Sequence, residues 1–304
     1  MDQAEALREM TRESEVLQSG AATLAGERRA PRGGTSPARV IAVTSGKGGV
    51  GKTNITANLA YLLTRRKRKT LILDADLGLA NIDVILGLTP RYNLHHVLKG
   101  DRSLAEAMIQ GPGGIRILPS ASGIQEMSEL SQGQKLLLLD ELDLLEQELD
   151  FMLIDTGAGI SGNVMYFNMA AGEIIVVTSP EPTAMTDAYA LIKVLYQRHA
   201  KKRFLLLVNM VRSATEGREV FQRLSHAVGY FLNLQISHLG HVLQDENVTD
   251  AVRRQQLFAE LYPESPASVC LRTVADRLCR EKPQETDAGG LRFLSKKTLD
   301  SENL

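Results

Sequence analysis

Length, composition and charge limit what the chain can be. Its 304 residues, 43% of them hydrophobic, suffice for one large α/β domain with extensions or for two small domains. The 35 basic and 36 acidic residues give a formal charge of -1, which excludes a global electrostatic field that would draw the protein to nucleic acid.

Two further counts concern the compartment. Cys270 and Cys279 are too few and too far apart for a metal site, which argues against a metal-cluster carrier, and they suit a reducing compartment. Residues 1–11 carry no apolar run, and no window approaches the roughly 18 apolar residues that span a bilayer. We therefore expect a cytoplasmic protein.

The chain opens with two segments of different character. Residues 19–37 concentrate Gly, Ala, Pro, Ser and Arg without periodicity, which predicts a flexible linker. In residues 1–18, Asp2 and Glu5 can form a capping box, and one helical face would carry Gln3, Leu7, Met10 and Leu17. The segment is too short to be a stable helix alone, so it either folds on a partner or is a leader without a role.

From residue 38 onward, apolar runs of strand length alternate with amphipathic helical patterns. Buried strands are predicted for VIAVTS, TLILDAD, GIRILPS, FMLIDT, EIIVVTS, FLLLVNM and ISHLGHVL. Helices are predicted at 54–66, 134–149, 183–199, 216–231 and 266–280. Because parallel strands need crossover connections, this alternation predicts an α/β fold: a mostly parallel twisted sheet with helices on both faces, in a single domain at 38–282. Ligands should bind at the carboxyl ends of the strands.

A phosphate-binding loop follows the first of these strands. In SGKGGVGKT, Gly46 is followed after four residues by Gly51, Lys52 and Thr53, between a predicted strand and a predicted helix. Backbone amides of such a loop point at phosphate oxygens, Lys52 should contact the β and γ phosphates, and the Thr53 hydroxyl should ligate Mg²⁺. The sequence thus predicts ATP and Mg²⁺ as ligands, held by Gly46, Lys47, Gly48, Gly49, Val50, Gly51, Lys52, Thr53 and Asn54.

Three carboxylates end neighbouring strands. Asp74 and Asp76 close TLILDAD, where they can serve a magnesium ion and a water, and Asp155 closes FMLID, where it is expected to reach the metal through water. The glycine-rich stretch after Asp155 can move when a γ phosphate is present or absent. The alternative for Asp76 and Asp155 is that they cap the helices that follow.

Other polar residues form no recognised site. Lys47 lies between two glycines and is not needed by a plain phosphate loop, so a solvated surface charge is one interpretation of it. The basic runs at 65–69 and 201–203 are either DNA-binding clusters or, as such runs usually are, solvated charge. The six histidines form no ligand pattern, and His238 and His241, three apart in a predicted strand, should lie on opposite faces.

Taken together, KGGVGKT, DADLGLANID and DTGAGI resemble the motifs of the MinD/ParA family of deviant Walker ATPases, over residues 38–262. The resemblance implies slow ATP hydrolysis in a homodimer that encloses ATP. Lys47 would be the signature lysine that reaches the partner's phosphates, Asp76 would activate the attacking water, and Asp155 would be the Walker B-type residue. The resemblance also places Asn209 near adenine and Glu181 near the ribose.

Within that family, LDADLGLANIDVILGLTP, GPGGIRILPSASG and EPTAMTDAYALIKVL resemble the branch that regulates flagellar number, FlhG or FleN. The start of the chain, DQAEALR, resembles a DQAxxLR element of that branch, which implies that a signal-recognition-type GTPase, FlhF, is bound and stimulated through Asp2, Gln3, Ala4, Leu7 and Arg8. Gln3 would enter the partner's active site beside a water. Flagellar C-ring components and a flagellar transcription activator are further implied partners.

The C-terminal tail, residues 283–304, corresponds to the membrane-targeting helix of the family. Basic and apolar side chains that suit an anionic lipid surface are Leu291, Arg292, Phe293, Leu294, Lys296 and Lys297. On a helical wheel the apolar residues scatter, and the negative charges of Asp300 and Glu302 oppose attraction to an anionic lipid surface. The expectation of peripheral inner-membrane association in the ATP state therefore depends on the resemblance. The alternative function is a ParA-like DNA segregation ATPase, which would use the basic runs to bind DNA.

Overall fold

A computed structural model describes four stretches of the chain: residues 38–77, 81–120, 130–146 and 148–281. The N-terminal segment, the linker and the C-terminal tail fall outside them, so the boundaries 1–18, 19–37, 38–282 and 283–304 stay predictions. Within the four stretches, no helix combines the length and the apolar character that crossing a membrane requires.

The core of the fold is one sheet of eight strands in the order β3-β4-β2-β5-β1-β6-β7-β8. Their bounds are β1 Arg39–Ser45, β2 Thr70–Ala75, β3 Ile109–Gln110, β4 Arg116–Leu118, β5 Phe151–Ala158, β6 Glu173–Thr178, β7 Phe204–Val211 and β8 Ser237–Leu243. Neighbours pair in parallel except β3 and β4, which are antiparallel. β1 has β5 on one side and β6 on the other, so the carboxyl ends of β1, β2 and β5 meet beside the point where the strand order reverses.

Helices connect these strands. Their bounds are α1 Lys52–Arg65, α2 Ile82–Ile85, α3 Leu94–Leu98, α4 Leu104–Ala107, α5 Gln132–Glu146, α6 Gly162–Ala170, α7 Pro182–His199, α8 Ala214–Leu232, α9 Glu246–Arg253, α10 Phe258–Leu261 and α11 Pro266–Arg280. Side chains of alternate strand residues reach opposite faces of the sheet. Ile41 and Val43 of β1 pack in a cluster with α1 and α11, whereas Val40 and Ala42 pack in a cluster with α5 and α6. Both faces are therefore covered.

The predicted architecture is confirmed: the sheet is mostly parallel, with helices on both faces, and all seven predicted strands occur in it. The sequence analysis missed β3, which has two residues, and helices α2, α3, α4 and α10, which have four or five. Elements shorter than two helical turns cannot display a 3.6-residue period, so pattern analysis has nothing to detect. It also missed α6 and α9, with nine and eight residues.

The expectation for His238 and His241 was wrong. The register of β8 against β7 shifts so that Leu206 pairs with His238 and Leu207 pairs with Gly240. The residue between them is an extra one, a bulge, and it reverses the alternation. The two imidazole rings consequently lie on one face and stack, with centroids 6.5 Å apart and planes 12° apart.

The basic runs are partly committed to ion pairs. Arg66 donates to Asp276 at 2.7 Å, and Arg68 lies 3.6 Å from Asp150. Two of the five cations in 65–69 are therefore paired with carboxylates of other elements. In the second run, the Lys201 ammonium donates to the Ala171 carbonyl at 2.6 Å. These contacts favour the interpretation of the runs as structural and solvated charge.

Candidate nucleotide site

The phosphate loop connects β1 to α1 at the carboxyl edge of the sheet. Gly49 and Gly51 have φ of 82° and 86°, a conformation that side-chain residues rarely adopt. A methyl group on Gly51 would also lie 2.5 Å from the Asn209 amide nitrogen, and one on Gly46 would lie 2.2 Å from the backbone of Asp187 in α7. The loop is thus enclosed on two sides by backbone and side-chain atoms, and α1 begins at Lys52 with its amide dipoles directed at the loop.

A buried ion pair lies behind the loop. The Lys52 ammonium donates to Asp155 Oδ1 at 2.9 Å, and the Thr56 hydroxyl donates to the same oxygen at 3.1 Å. Lys52 is 7% exposed and Asp155 1% exposed. The ion pair fixes the Lys52 side chain against β5. The Lys52 backbone is the first residue of α1, directly after the loop.

Asp74 lies next to Asp155, because the two residues are directly paired between β2 and β5. Burial, and then the negative charge of Asp155, raise the pKa of the Asp74 carboxyl well above its ordinary value. Each of the two carboxylates also has a buried oxygen, Oδ2, with no hydrogen-bond partner among the described residues. Carboxylate oxygens without a partner are the kind of ligand that Mg²⁺ prefers, but Asp74 and Asp155 lie behind the cavity that Thr53 lines, so the three residues' shared role as metal ligands stays a prediction.

Asp76 lies two residues further along, where the chain leaves β2. Its backbone amide donates to Asp74 Oδ1 at 3.2 Å, and its side chain is half-buried. Its own carboxylate lies against the glycine-rich stretch after Asp155, since a methyl group on Gly157, in the last residues of β5, would be 3.5 Å from Asp76 Oδ1. The structure therefore brings the Asp76 carboxylate next to the stretch that the sequence analysis expected to respond to a γ phosphate.

A cavity of about 770 Å³ opens in front of these groups. Predicted site residues that line it are Gly48, Gly49, Gly51, Lys52, Thr53, Asn54 and Asp76. The other predicted loop residues do not line it: Gly46 packs against α7, and Val50 is buried, with its carbonyl accepting a hydrogen bond from the Asn209 amide at 2.9 Å.

A second, smaller cavity of about 170 Å³ adjoins the first and shares Gly51, Asn54 and Met210 with it. Asn209 lines it, and its contact with adenine stays a prediction. Gln244 and Asp245, which follow β8, also line it and were missed by the sequence analysis. The rule that ligands bind at the carboxyl ends of parallel strands, applied to the last strand, would have found them.

Lys47 and Glu181 lie to one side of the cavities. The Lys47 ammonium donates to Glu181 at 2.7 Å and to the Thr183 hydroxyl at 3.0 Å, at the start of α7. Both residues are well exposed, Lys47 by 40% and Glu181 by 64%, and neither lines the two cavities. Their roles at the partner's phosphates and at a ribose stay predictions. Asp2, Gln3, Ala4, Leu7 and Arg8 lie outside the described residues.

Comparisons with known proteins identify the family of the chain. A family model described as an AAA domain matches residues 38–206. Antiactivator FleN of Pseudomonas aeruginosa is 45% identical over 246 residues, which cover 81% of this chain and 88% of that protein. Flagellum site-determining protein YlxH of Helicobacter pylori is 37% identical over 242 residues, 79% of this chain and 81% of that one.

A solved structure also matches. The septum site-determining protein MinD of Pyrococcus horikoshii, in complex with Mg-ADP, superposes with a TM-score of 0.67 and 28% identity, covering 80% of this chain and 96% of that chain. That protein binds a magnesium nucleotide on the same fold. Motifs, fold, site geometry and relatives lead to one assignment: the chain belongs to the MinD/ParA family of P-loop ATPases, in its FleN branch.

Proposed function

We propose that the protein is an ATP-dependent dimerising switch that regulates the number and placement of flagella and hydrolyses ATP slowly. The names of two relatives, antiactivator FleN and flagellum site-determining protein YlxH, support the flagellar part. The observation that carries the switch is the position of Asp76, half-buried in the cavity wall where the chain leaves β2 and next to Gly157, in the glycine-rich stretch after Asp155.

In this proposal, Lys52 and the loop amides bind the β and γ phosphates of ATP, and Asp76 orients the attacking water. Mg²⁺ would be held by the Thr53 hydroxyl and by the Asp155 and Asp74 carboxylates, and it would neutralise charge on the phosphates. The base would enter the smaller cavity beside Asn209. A cation held by Asp74 and Asp155 would offset the unfavourable burial of their unsatisfied carboxylate oxygens, which supports the metal part of the proposal.

Dimerisation is supported by the rim of the larger cavity. Val84 and Ile160 are 55% and 56% exposed, and they adjoin the lining residues Ile85 and Ser161. Exposed apolar side chains around a ligand cavity are typical of a surface that another molecule covers. Because Lys47 does not line its own cavity, we infer that it acts on the phosphates of a second copy. ATP then favours the dimer to the extent that it binds the dimer better than two monomers.

The test measures ATP-dependent dimerisation by light scattering and ATP turnover by phosphate release. We expect Asp76→Ala to bind ATP, accumulate as dimer and turn over at least about tenfold more slowly. Lys47→Ala should stay monomeric with ATP, and the exposed Lys202→Ala should behave as the wild type. If Asp76→Ala neither slows hydrolysis nor accumulates dimer, the assigned cycle is wrong.

The N-terminal segment is proposed to stimulate an FlhF-type GTPase. The assay compares GTP hydrolysis by the purified GTPase with a peptide of residues 1–20, with its Gln3→Ala variant and with a Gln18→Ala control. Stimulation by the native and control peptides but not by the Gln3 variant is expected. Equal stimulation by all three would remove Gln3 from the mechanism, and no stimulation by any would undercut the flagellar assignment.

The C-terminal tail is proposed to hold the ATP dimer on anionic membranes. Sedimentation with vesicles of anionic or neutral lipid, in ATP or ADP, tests this. The full chain should sediment only with anionic vesicles and ATP, and Lys296→Glu combined with Lys297→Glu should abolish the effect. Binding that is indifferent to lipid charge would contradict the proposal.

A protein-docking surface is proposed on α7 and α8. We call Tyr189, His226, Tyr230 and Phe231 the aromatic patch. Tyr230 and Phe231 are 76% and 69% exposed, their ring centroids are 4.9 Å apart, and the Phe231 and Tyr189 centroids are 6.3 Å apart. Clustered exposed aromatic rings are typical of protein interfaces. The proposed occupant is a flagellar transcription activator, because the relative FleN is named an antiactivator.

Binding of the purified transcription activator to Phe231→Ala and to Val269→Ala tests the aromatic patch. Val269, on α11, is exposed by 44% and serves as a matched apolar control. We expect Phe231→Ala to weaken binding at least about tenfold while ATP turnover stays unchanged, because interface aromatic anchors carry much of the binding energy. Equal affinity of both variants would move the docking surface elsewhere.

A DNA segregation function is not proposed, because Arg66 and Arg68 of the longer basic run are engaged in ion pairs with Asp276 and Asp150. A DNA retardation assay across salt concentrations is the direct check. Binding with a steep salt dependence would restore that alternative.

A further inference from the structure

A bulge at the end of β7 sends two successive side chains in opposite directions. Val208 pairs with His241 and Val211 pairs with Leu243, so Asn209 and Met210 together stand opposite Val242 alone. Such an extra residue re-aims side chains, and bulges are frequent beside active sites. Asn209 turns inward and is 8% exposed, whereas Met210 turns outward and is 43% exposed.

Met210 has a backbone conformation that is unfavourable for a residue with a side chain. Its φ is 58°, in the left-handed region that costs a residue with a Cβ about 1 kcal/mol or more. The side chain is also apolar and largely exposed, so little burial offsets this strain. Strain that persists at a cleft points to a role in that cleft.

The side chain stands where the two cavities of the site meet. Met210 lines both cavities, and its Cε would lie 3.5 Å from a methyl group on Gly51. The smaller cavity is lined by apolar residues, among them Val242, Val248 and Phe258, and by the polar residues Asn209, Gln244 and Asp245. A mostly apolar lining with a few polar groups suits a heterocyclic base, and a thioether makes favourable contacts with aromatic rings.

We propose that Met210 covers one face of the nucleotide base and so sets the affinity for the nucleoside part of the ligand. This inference rests on the proposed function, which places the base in the smaller cavity. The phosphates are held by the loop and by Lys52, so Met210 should contribute to the binding of any ligand that carries the base and not to the binding of polyphosphate alone.

Isothermal titration calorimetry with the full chain tests the inference, using MgADP and magnesium tripolyphosphate as ligands. We expect Met210→Ala to weaken MgADP binding roughly 3- to 10-fold, which corresponds to the free energy of a thioether–ring contact, and to leave tripolyphosphate binding unchanged. Met210→Gly removes the same side chain and accepts the left-handed backbone, so its loss of MgADP affinity cannot result from strain. Val269→Ala is the exposed apolar control and should bind both ligands as the wild type does.

Two results would overturn the inference. One is wild-type MgADP affinity in both Met210 variants, and the other is an equal loss of affinity for MgADP and tripolyphosphate, which would place the effect at the phosphate loop. Failure of the wild type itself to bind MgADP would instead remove the proposed function. The two failures are therefore distinguishable.

Discussion

At the scale of single residues, the site concentrates groups that are costly to bury. Asp74 and Asp155 each keep a buried oxygen without a partner in the part of the chain that the structure describes, and the pKa of Asp74 is raised. Two negative charges buried on directly paired strand residues destabilise the fold. A ligand that brings positive charge to the Asp74–Asp155 pair would remove this electrostatic penalty.

Asp74→Asn should therefore stabilise the ligand-free protein. Removing the buried negative charge beside Asp155 is expected to raise the free energy of unfolding by about 1–2 kcal/mol, or the melting temperature by roughly 2–6 °C. The stabilisation that MgADP gives to the wild type should be largely lost. Calorimetry with and without MgADP measures both effects, and the exposed Asp101→Asn is the control. A lower melting temperature of ligand-free Asp74→Asn would contradict the argument.

Two glycines of the phosphate loop should differ in their tolerance of a methyl group. A Cβ on Gly46 would lie 2.2 Å from Asp187 backbone atoms, whereas a Cβ on Gly48 meets no atom within 4 Å. Because backbone cannot move aside, Gly46→Ala is expected to lower the free energy of unfolding by about 3 kcal/mol and Gly48→Ala by less than about 1 kcal/mol. Urea unfolding without nucleotide measures this. Equal stabilities would show that α7 can shift away from the loop.

At the scale of elements, bulges in the last two strands decide what their side chains do. One on β8 puts His238 and His241 on one face, where the His238 ring lies 4.8 Å from the Phe221 ring, and its Nε2 has no partner among the described residues. Burial, and then the charges of His241, Arg277 and Arg218, lower the pKa of His238. The neutral ring is the form that the fold accepts.

This predicts a stability that falls in mild acid. The unfolded chain binds a proton at His238 near the ordinary pKa of 6.5, but the folded chain does so only at lower pH. Unfolding therefore takes up a proton in that window, and the contribution of His238 to stability is lost as pH falls below about 6.5. Between about pH 7.5 and 5.5, the melting temperature of His238→Gln should fall roughly 1–3 °C less than that of the wild type. The exposed His226→Gln should follow the wild type, and parallel curves for all three proteins would contradict the assignment.

At the scale of the whole molecule, Arg39 ties the first strand to the last helix. Its guanidinium donates to both carboxylate oxygens of Glu173 at 2.8 Å each, to the Leu278 carbonyl, and to the Glu281 carbonyl at 2.8 Å. It also lies 5.5 Å from the centre of the Phe151 ring and is 8% exposed. The Arg39 side chain thus links the end of α11 to the starts of three central strands, β1, β5 and β6.

Arg39→Met should destabilise the protein by about 3–5 kcal/mol, because it leaves the Glu173 carboxylate without its partner and two carbonyls without donors. Arg116→Met, which removes the more exposed pair with Glu148, should cost less than about 1 kcal/mol. Chemical denaturation measures both. Addition of Glu173→Gln should recover part of the loss in Arg39→Met but not in Arg116→Met, and equal costs for the two arginines would refute the role of Arg39.

The phosphate loop, the strand-end carboxylates and the alternation that specifies a parallel sheet were all predictable from the sequence, because each depends on residues close together in the chain. Local spacing fixes which amides can face a phosphate and which face of a helix is apolar. The loop after β1 and the carboxylate of Asp155 could therefore be located from the sequence alone, although β5 continues three residues past Asp155, to Ala158.

Only the tertiary structure decided which distant residues meet. The Lys52–Asp155 pair, the contact of Lys47 with Glu181, and the meeting of the two cavities at Met210 join elements far apart in sequence. The bulges could not be predicted from the sequence either, because an extra residue is recognised only by how its strand pairs with the neighbouring strand. The reason is physical: the backbone pattern is set by local sterics and hydrophobic period, whereas the position of a side chain across the sheet depends on strand order and register.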